Sequence, residues 1–567
     1  MAGSEPPTPR KPATGRGEGR WALGYFEPLN AAERAKRDDD GLNVRARIES
    51  TYAKRGFRSI DGTDLRTRFR WWGLYTQRKQ GVPGGATATA EPRELEDEFF
   101  MLRIRVPGGR LSAEQLRTIA WCSERFGRDL ADVTDRQNVQ LHWIRIEDVP
   151  RIWEALESVG LSTQEACGDA PRVMIGCPLA GVDADEILDA TPSLLETERR
   201  YVGDERFSNL PRKYKTSISG CRQRCAHPEV NDVAFVGVEH PELGAGFDLW
   251  VGGGLSTNPH LAQRLGVFVE PELVPDVWAA VTEAFRDHGY RRARNRARLK
   301  FLIADRGPAW FREVVEGDYL GSALPEGPAP PPAAHAHRAH VGVFEQKDGR
   351  RYVGFAPKAG RVPGRRLRRI AELAERFGDG RIRTTTQQKM VILGVEPTAV
   401  DELVAALEDE DLAVRPSPFR KGLMACTGIE FCKLALAETK GRAAWLAQEL
   451  EERLPDLDED IRIHVNGCPN SCARFQLADI GLMGAVQPRP DGTRSEAFLV
   501  HLGGGLGGDG AFARKARGVR VFAEDAADYV ETLLKRYRTR RRGGESFGAF
   551  VRSLSDEQLA EFARWDR

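Results

Sequence analysis

The chain has 567 residues, with 84 Lys and Arg against 83 Asp and Glu, a formal net charge of +1 and 41% hydrophobic residues. That length supports several domains with full cores, and the balanced charge gives no electrostatic footprint for nucleic acid. There is no apolar run long enough to span a membrane, and cysteines in a chain without an apolar leader are expected to be reduced thiols or metal ligands, in the cytoplasm.

Residues 1–25, which begin MAGSEPPTPRKPATGRGEGR, read as a disordered tail. Residues 26–95 form an N-terminal segment with charged helical patterning, then DLRTRFRWWGLYTQRKQG. Trp71, Trp72 and Tyr75 in that stretch fit either core with solvated neighbours, the commoner case, or a wall against a flat anionic ligand.

From 96 to 165 the pattern is strand, helix, strand, helix. FFMLRIRVPGG alternates, placing Met101, Arg103 and Arg105 on one face and Leu102, Ile104 and Val106 on the other. LSAEQLRTIAWCSERFG is a helix ended by Gly127, DVTDRQNVQLHWIRI reads as one strand, and VPRIWEALESVG as a second helix. The unit recurs at 341–410, where RIRTTTQQKMVILGV puts Thr384 to Gln388 at the place of Thr134 to Asn138. The next segments of each half, 166–325 and 411–567, also echo one another: SISGCRQRCAHPEVNDVAFVG matches HVNGCPNSCARFQLADIGLMG, and FDLWVGGGLS matches FLVHLGGGLGG. Such a duplication implies a pseudo-twofold arrangement, with a site at the interface able to draw on both halves. A Pro/Ala linker at 326–340 joins the halves; its His335, His337 and His340 are potential metal ligands, but the composition favours a solvated linker. The GGGL runs at 252–255 and 503–506 lack a following phosphate-cradling helix and read as tight turns, so no dinucleotide-binding domain is expected.

Cys426 and Cys432 have five residues between them, and Cys468 and Cys472 have three. Four thiols in two short-spaced pairs suit a soft metal centre. A structural zinc site is an alternative, but a five-residue gap is loose for zinc and suits a loop around a [4Fe–4S] cluster. Copy one has Cys221 and Cys225 in matching positions but only Cys177 opposite Cys426 and Cys432, so a second cluster would need Cys167 at an unmatched spacing. Cys221 and Cys225 therefore read as residual.

CTGIEFC followed by NGCPNSC, in a duplicated chain with LPRKYK upstream, resembles the sulfite and nitrite reductase family, from about residue 45 to the end. The resemblance implies an α+β fold, internally duplicated and three-domain, with mixed sheets and ferredoxin-like half domains at 96–165 and 341–410. Segment 166–325 would be a siroheme and substrate domain, and 411–567 its counterpart carrying siroheme and the cluster. It implies siroheme and [4Fe–4S] as cofactors, with Cys426, Cys432, Cys468 and Cys472 as cluster ligands and Cys472 bridging cluster and siroheme. Siroheme carboxylates would be met by Arg136, supported by Thr134, Gln137 and Asn138, and by Gln387 and Gln388 in the second copy. Arg103, Arg172, Lys213 and Lys215 would neutralise and protonate a small anion; lysines at i and i+2 of an extended segment point to one side, and clustered cations lower lysine pKa. Family sulfite reductases tend to carry Lys at the position of Lys215 and plant-type nitrite reductases Asn, which favours six-electron reduction of sulfite to sulfide over nitrite reduction. Similar ferredoxin-dependent members carry a covalent Tyr–Cys link at the positions of Tyr75 and Cys167. The implied donor is ferredoxin, and the expected protein is a monomer with no membrane or nucleic-acid partner. The basic run KRYRTRRR (535–542) suits either an acidic donor or a solvated helix end.

Overall fold

The computed structural model describes residues 28–333, 339–507 and 510–565. The expected tail, and His335 and His337, lie outside the described residues.

Among the described residues, four sheets organise the chain in two related pairs. In the first sheet, strands Leu74–Arg78, Glu96–Ile104, Val139–Ile144 and Ala131–Val133 lie side by side, and the edge is completed by Arg361–Val362 from the other half. In the second, Gly342–Glu345, Arg351–Phe355, Met390–Val395 and Arg381–Thr384 are completed by Arg110–Ser112 from the first half. Each half thus lends a short strand to the other's sheet. The exchange needs close backbone contact: a Cβ on Gly109 (φ +71) would lie 2.2 Å from the Thr384 carbonyl oxygen, and one on Gly360 (φ +71) 2.8 Å from that of Val133.

Alternation in the Glu96–Ile104 strand is realised as expected, with Leu102, Ile104 and the following Val106 fully buried. Helix Ala113–Phe126 begins with a capping box between Ser112 and Gln115 and buries Leu116, Ile119 and Ala120. Its counterpart Gly364–Phe377 buries Leu367, Ile370, Ala371 and Ala374. The two helices are joined across the halves by Arg117–Glu375 and Arg368–Glu124, both at 2.6 Å.

One element differs in kind from its expectation. DVTDRQNVQLHWIRI is a hairpin, Ala131–Val133 and Val139–Ile144, because the Thr134 N–H donates to the Asn138 carbonyl at 2.9 Å and Gln137 is left-handed (φ 60). RIRTTTQQKMVILGV turns the same way, with the Thr385 N–H donating to the Lys389 carbonyl at 2.9 Å and Gln388 at φ 59. The apolar alternation on either side hid turn chemistry in the polar middle.

The other two sheets share one plan. Thr216–Ser219 runs parallel to Val233–His240, which then pairs antiparallel with Gly244–Val251 and on to Gln263–Val269. Ile463–Asn466 runs parallel to Ile480–Pro488, followed antiparallel by Arg494–Leu502 and Arg514–Phe522.

The N-terminal segment is pinned by buried groups. The Trp71 indole N–H donates to the Ser208 carbonyl and that of Trp72 to the Leu42 carbonyl, so both are core residues. Lys36 pairs with Glu33 at 2.7 Å and with Asp169 at 3.5 Å; Arg291 reaches Glu33 at 3.2 Å and Arg294 reaches Asp169 at 2.6 Å. Burial alone would raise the Asp169 carboxyl, but Arg294 and Lys36 outweigh it and hold it well below its ordinary value. Breaking such a buried network costs about 3–5 kcal/mol, so Asp169→Asn is expected to lower the urea midpoint clearly at pH 7. A carboxyl with a depressed folded pKa stabilises fully above its unfolded value of 3.8 and loses that contribution as pH falls below it. The gap between wild type and variant should therefore narrow on acidification; equal midpoints at pH 7 would remove this role. Among the described residues, no helix is long and apolar enough to cross a membrane.

Candidate active site

The four cysteines meet because of sheet topology. Leu423–Ala425 and Ile463–Asn466 are parallel neighbours, with helix Lys440–Arg453 as the crossover, so both strands release their loops at the same sheet edge. Cys426 follows the first strand, and Cys468 and Cys472 lie just beyond the second. The second loop turns through left-handed Ser471 (φ 57) and Arg474 (φ 54) and packs against Gly504, where a Cβ would lie 2.5 Å from the Gln476 carbonyl oxygen.

Cys468 is buried, Cys426 and Cys432 are half-buried, and Cys472 is exposed. Burial, then the neighbouring Cys472, pushes the Cys426 thiol up to about 12, and burial moves Cys432 and Cys468 in the same direction. Thiols that resist ionisation this way become thiolates when a metal takes the proton's place. Among the described residues, no three of these four sulfurs lie together at single-ion spacing, as two other groups do. The Gly467 N–H already donates to Cys426 Sγ at 3.2 Å, the kind of contact that tunes a cluster's potential.

Lys213 and Lys215 flank Tyr214 on an extended stretch. Tyr214 is fully buried beside Trp278 and Phe285, so both lysines turn the other way. Burial, then Lys215 and Arg298, holds the Lys213 ammonium well below its ordinary pKa; burial, then Arg136, brings Lys215 down to about 8. Both side chains nonetheless remain half-accessible, the combination expected of groups lining an internal cavity. Cys472 acts on both lysines and on Arg103, which puts the cysteine loop and the cations at one place.

Arg103 donates to Cys167 Sγ at 2.7 Å, and the Gln140 amide oxygen accepts from its Nε at 3.2 Å. Arg172 donates to the carbonyls of Ala166 (3.1 Å) and Gly168 (2.9 Å). Arg136 donates to Asn231 Oδ1 at 3.0 Å and to the Val173 carbonyl at 2.7 Å, and burial, ahead of Arg172 and Arg298, brings it down to about 9. Among the described residues, the buried Nε atoms of Arg136, Arg172 and Arg474 have no hydrogen-bond partner. Desolvated cations repelling one another, with unused donors, fit a bound polyanion. The residues present therefore suit a carboxylate-rich macrocycle beside a metal cluster.

The remaining sequence candidates hold the scaffold. Thr134 Oγ1 accepts from the N–H groups of Arg136 and Asn138, and Asn138 Oδ1 accepts from Val106 N–H at 3.1 Å. The Gln137 amide donates to the Thr384 carbonyl at 3.0 Å and accepts from Gly176 N–H at 3.0 Å, tying the two hairpin tips together. Gln388 clasps both backbone groups of Ala425, one residue before Cys426, while Gln387 is buried beside it. Tyr75 and fully buried Cys167 are near enough to act on each other's charge.

Sequence reading missed Arg298, which forms a two-pronged pair with Asp232 at 2.7 Å; Asp232 in turn accepts from the Lys215 N–H at 2.8 Å. It also missed Arg474, two residues past Cys472 and brought down to about 10 by burial. Only the position of Arg474 within the cysteine motif was a usable signal. One expectation is corrected: His340 is buried rather than solvated.

The nitrite and sulphite reductase 4Fe-4S domain matches residues 167–324 and 420–564, and the nitrite/sulfite reductase ferredoxin-like half domain matches 93–159 and 344–410. The chain belongs to the nitrite and sulphite reductase family. Within that family it is 54% identical over 556 residues to the sulfite reductase [ferredoxin] of Mycobacterium tuberculosis, covering 97% of this chain and 100% of the relative. It is 35% identical to the assimilatory ferredoxin-dependent nitrite reductase of Haloferax mediterranei, covering 94% of this chain and 92% of the relative. The solved structure of Mycobacterium tuberculosis NirA superposes with a TM-score of 0.93 at 54% identity, covering 96% of this chain and all of that one. The α+β fold with two ferredoxin-like half domains, expected from the sequence, is the family's.

Proposed function

We propose that the chain is a ferredoxin-dependent sulfite reductase that converts sulfite to sulfide with six electrons. Siroheme and a [4Fe–4S] cluster supply the electron relay and the iron centre for this chemistry. The observation that carries the reading is the convergence of Arg103, Lys213 and Lys215 on Cys472, whose charge bears on all three.

Each residue has a role that follows from its setting. Cys426, Cys432, Cys468 and Cys472 hold the cluster, and Cys472, the exposed one, faces the cations. Arg136 offers its unpartnered Nε to cofactor carboxylates; Thr134, Gln137, Asn138, Gln387 and Gln388 hold the hairpin tips that position it. Arg103 and Arg172 orient the substrate anion, since both are pinned by fixed carbonyl or thiol acceptors and keep donors free. Lys213 and Lys215 deliver protons: burial holds both ammonium groups below their ordinary value, Lys215 at about 8, which brings them nearer the range where general-acid efficiency peaks. Four cations in a desolvated site suit the sulfite dianion better than monoanionic nitrite. We also propose a thioether between Tyr75 and Cys167, formed from a ring C–H and the thiol S–H with two protons and two electrons passing to an oxidant such as dioxygen; an intact mass lower by two hydrogens supports it and an unmodified Tyr75 tryptic peptide excludes it.

Ferredoxin as donor, a cytoplasmic location and a monomeric state belong to the same reading. The 535–542 run is a weak docking surface, because Lys535 pairs with Glu531, Arg540 with Glu561 and Arg541 with Asp458. Leu434, 61% exposed and two residues past Cys432, marks a better entry point for electrons. Steady-state reduction of sulfite and nitrite with reduced ferredoxin tests the assignment. A higher kcat/KM for sulfite is expected, and a much higher value for nitrite would reverse the substrate choice.

A further inference from the structure

The first half of the chain contains a second thiol cluster that the reductase reading does not use. Its position repeats that of the catalytic cysteines strand for strand. Thr216 pairs with Val233 as Ile463 pairs with Ile480, which makes Ser217 the counterpart of His464. Ile175 bridges Ser217 in parallel, as Met424 pairs with His464. Cys177 and Cys426 each lie two residues beyond those equivalent positions, so Cys177 stands where Cys426 stands. The following loops agree as well. Cys221 and Cys225 match Cys468 and Cys472, left-handed Arg224 (φ 52) and His227 (φ 51) match Ser471 (φ 57) and Arg474 (φ 54), and short helical turns Pro228–Val230 and Phe475–Leu477 come next. Three of four cluster ligands thus have counterparts, and the one without is Cys432.

The missing donor comes from the linker. His340 is 1% exposed and adopts a left-handed φ of 56, a conformation that His tolerates better than most residues. It is held there by Gly354, whose Cβ would lie 1.6 Å from the His340 carbonyl oxygen. Ligand atoms of Cys177, Cys225 and His340 all lie within 4.8 Å of one another, as do those of Cys177, Cys221 and Asp183. Cys221 and Cys225 sulfurs are 3.5 Å apart. A tetrahedral ion with metal–sulfur bonds of about 2.3 Å sets its sulfurs about 3.8 Å apart. Each triple is therefore spaced for one ion, with Cys177 common to both, and too close to surround a four-iron cluster. Leu179, Val182, Tyr352, Val391 and Leu393 pack around the thiols, drawing on both halves and excluding water.

We infer that Cys177, Cys221, Cys225 and His340 bind a single soft divalent metal ion, zinc by the chemistry of the donor set, that clips the start of the second half to the first. Three thiolates and an imidazole form one of the established structural zinc sets, and a three-residue gap between Cys221 and Cys225 lies in the zinc range. Zinc favours these N and S donors over the nearby Asp183 carboxylate. The clip would fix the chain directly after the Pro/Ala linker and so hold the two halves in register.

The test uses holoenzyme exposed to a small excess of zinc chloride, desalted, and assayed for zinc and iron by elemental mass spectrometry. About one zinc per chain is expected to remain, with zinc-edge absorption reporting three sulfurs at about 2.3 Å and one nitrogen at about 2.0 Å. Cys225→Ser and His340→Ala should each weaken zinc binding about 100-fold or more, with iron content and visible bands unchanged. No retained zinc, retention undiminished in both variants, a Cys221–Cys225 disulfide in freshly isolated protein, or iron and sulfide in place of zinc would each overturn the inference. Should Cys225→Ser fail to accumulate, the wild-type absorption spectrum decides alone.

Discussion

Cys472→Ser is expected to lower kcat for sulfite by about 10³-fold or more, roughly 4 kcal/mol of barrier, and to lower cluster iron per chain. Cys472 is the group shared by the two sets of residues. It acts on the thiols of Cys426, Cys432 and Cys468, and equally on Arg103, Lys213 and Lys215. It is also the exposed member of the four. A serine hydroxyl is far too weak an acid to replace a thiolate ligand. Buried thiols that burial pushes up, to about 12 for Cys426, would then have lost one of the metal contacts that keep them ionised. Steady-state kinetics and iron analysis check the expectation together; activity within tenfold of wild type would remove Cys472 from the electron path.

Lys213→Met should lower kcat for sulfite about 10²- to 10³-fold, the usual loss when one preorganised charge is removed from a site of developing charge. The side chain keeps its length and its apolar stem, so the stretch around Tyr214 should keep its packing. The variant should fold with unchanged iron content, and its KM should move less than its kcat, because Arg103 and Arg172, the proposed holders of the anion, remain. Lys215→Asn is expected to behave differently. It leaves Lys213 in place, removes a cation that burial and Arg136 already hold down at about 8, and offers an uncharged amide instead. The ratio of kcat/KM for nitrite over sulfite should rise; an unchanged ratio would remove Lys215 as the selector. Equal effects of both substitutions on both substrates would mean that the pair acts only as bulk positive charge.

The elements that carry the site were legible because their signals are local. Period-two alternation marked the Arg103 strand, helical spacing and capping marked the two half-domain helices, and paired spacings marked Cys426, Cys432, Cys468 and Cys472. The extended LPRKYK stretch put both lysines on one side by the same alternation, with Tyr214 supplying the buried opposite face. Repetition of these patterns announced two halves before any contact was known.

What the sequence alone determined was therefore the set of elements, their duplication and the paired cysteine spacings, all properties of residues near one another in the chain. Tertiary structure decided the rest, because contacts over long separations leave no periodic trace. It turned two apparent strands into hairpins whose tips cross through Gln137 and Thr384. It exchanged edge strands between the halves and brought Arg298 to Asp232 beneath Lys215. It also took His340 out of a linker that composition marks as solvated and buried it beside the Cys177 and Cys225 thiols of the other half, a placement that spacing along the chain does not reveal.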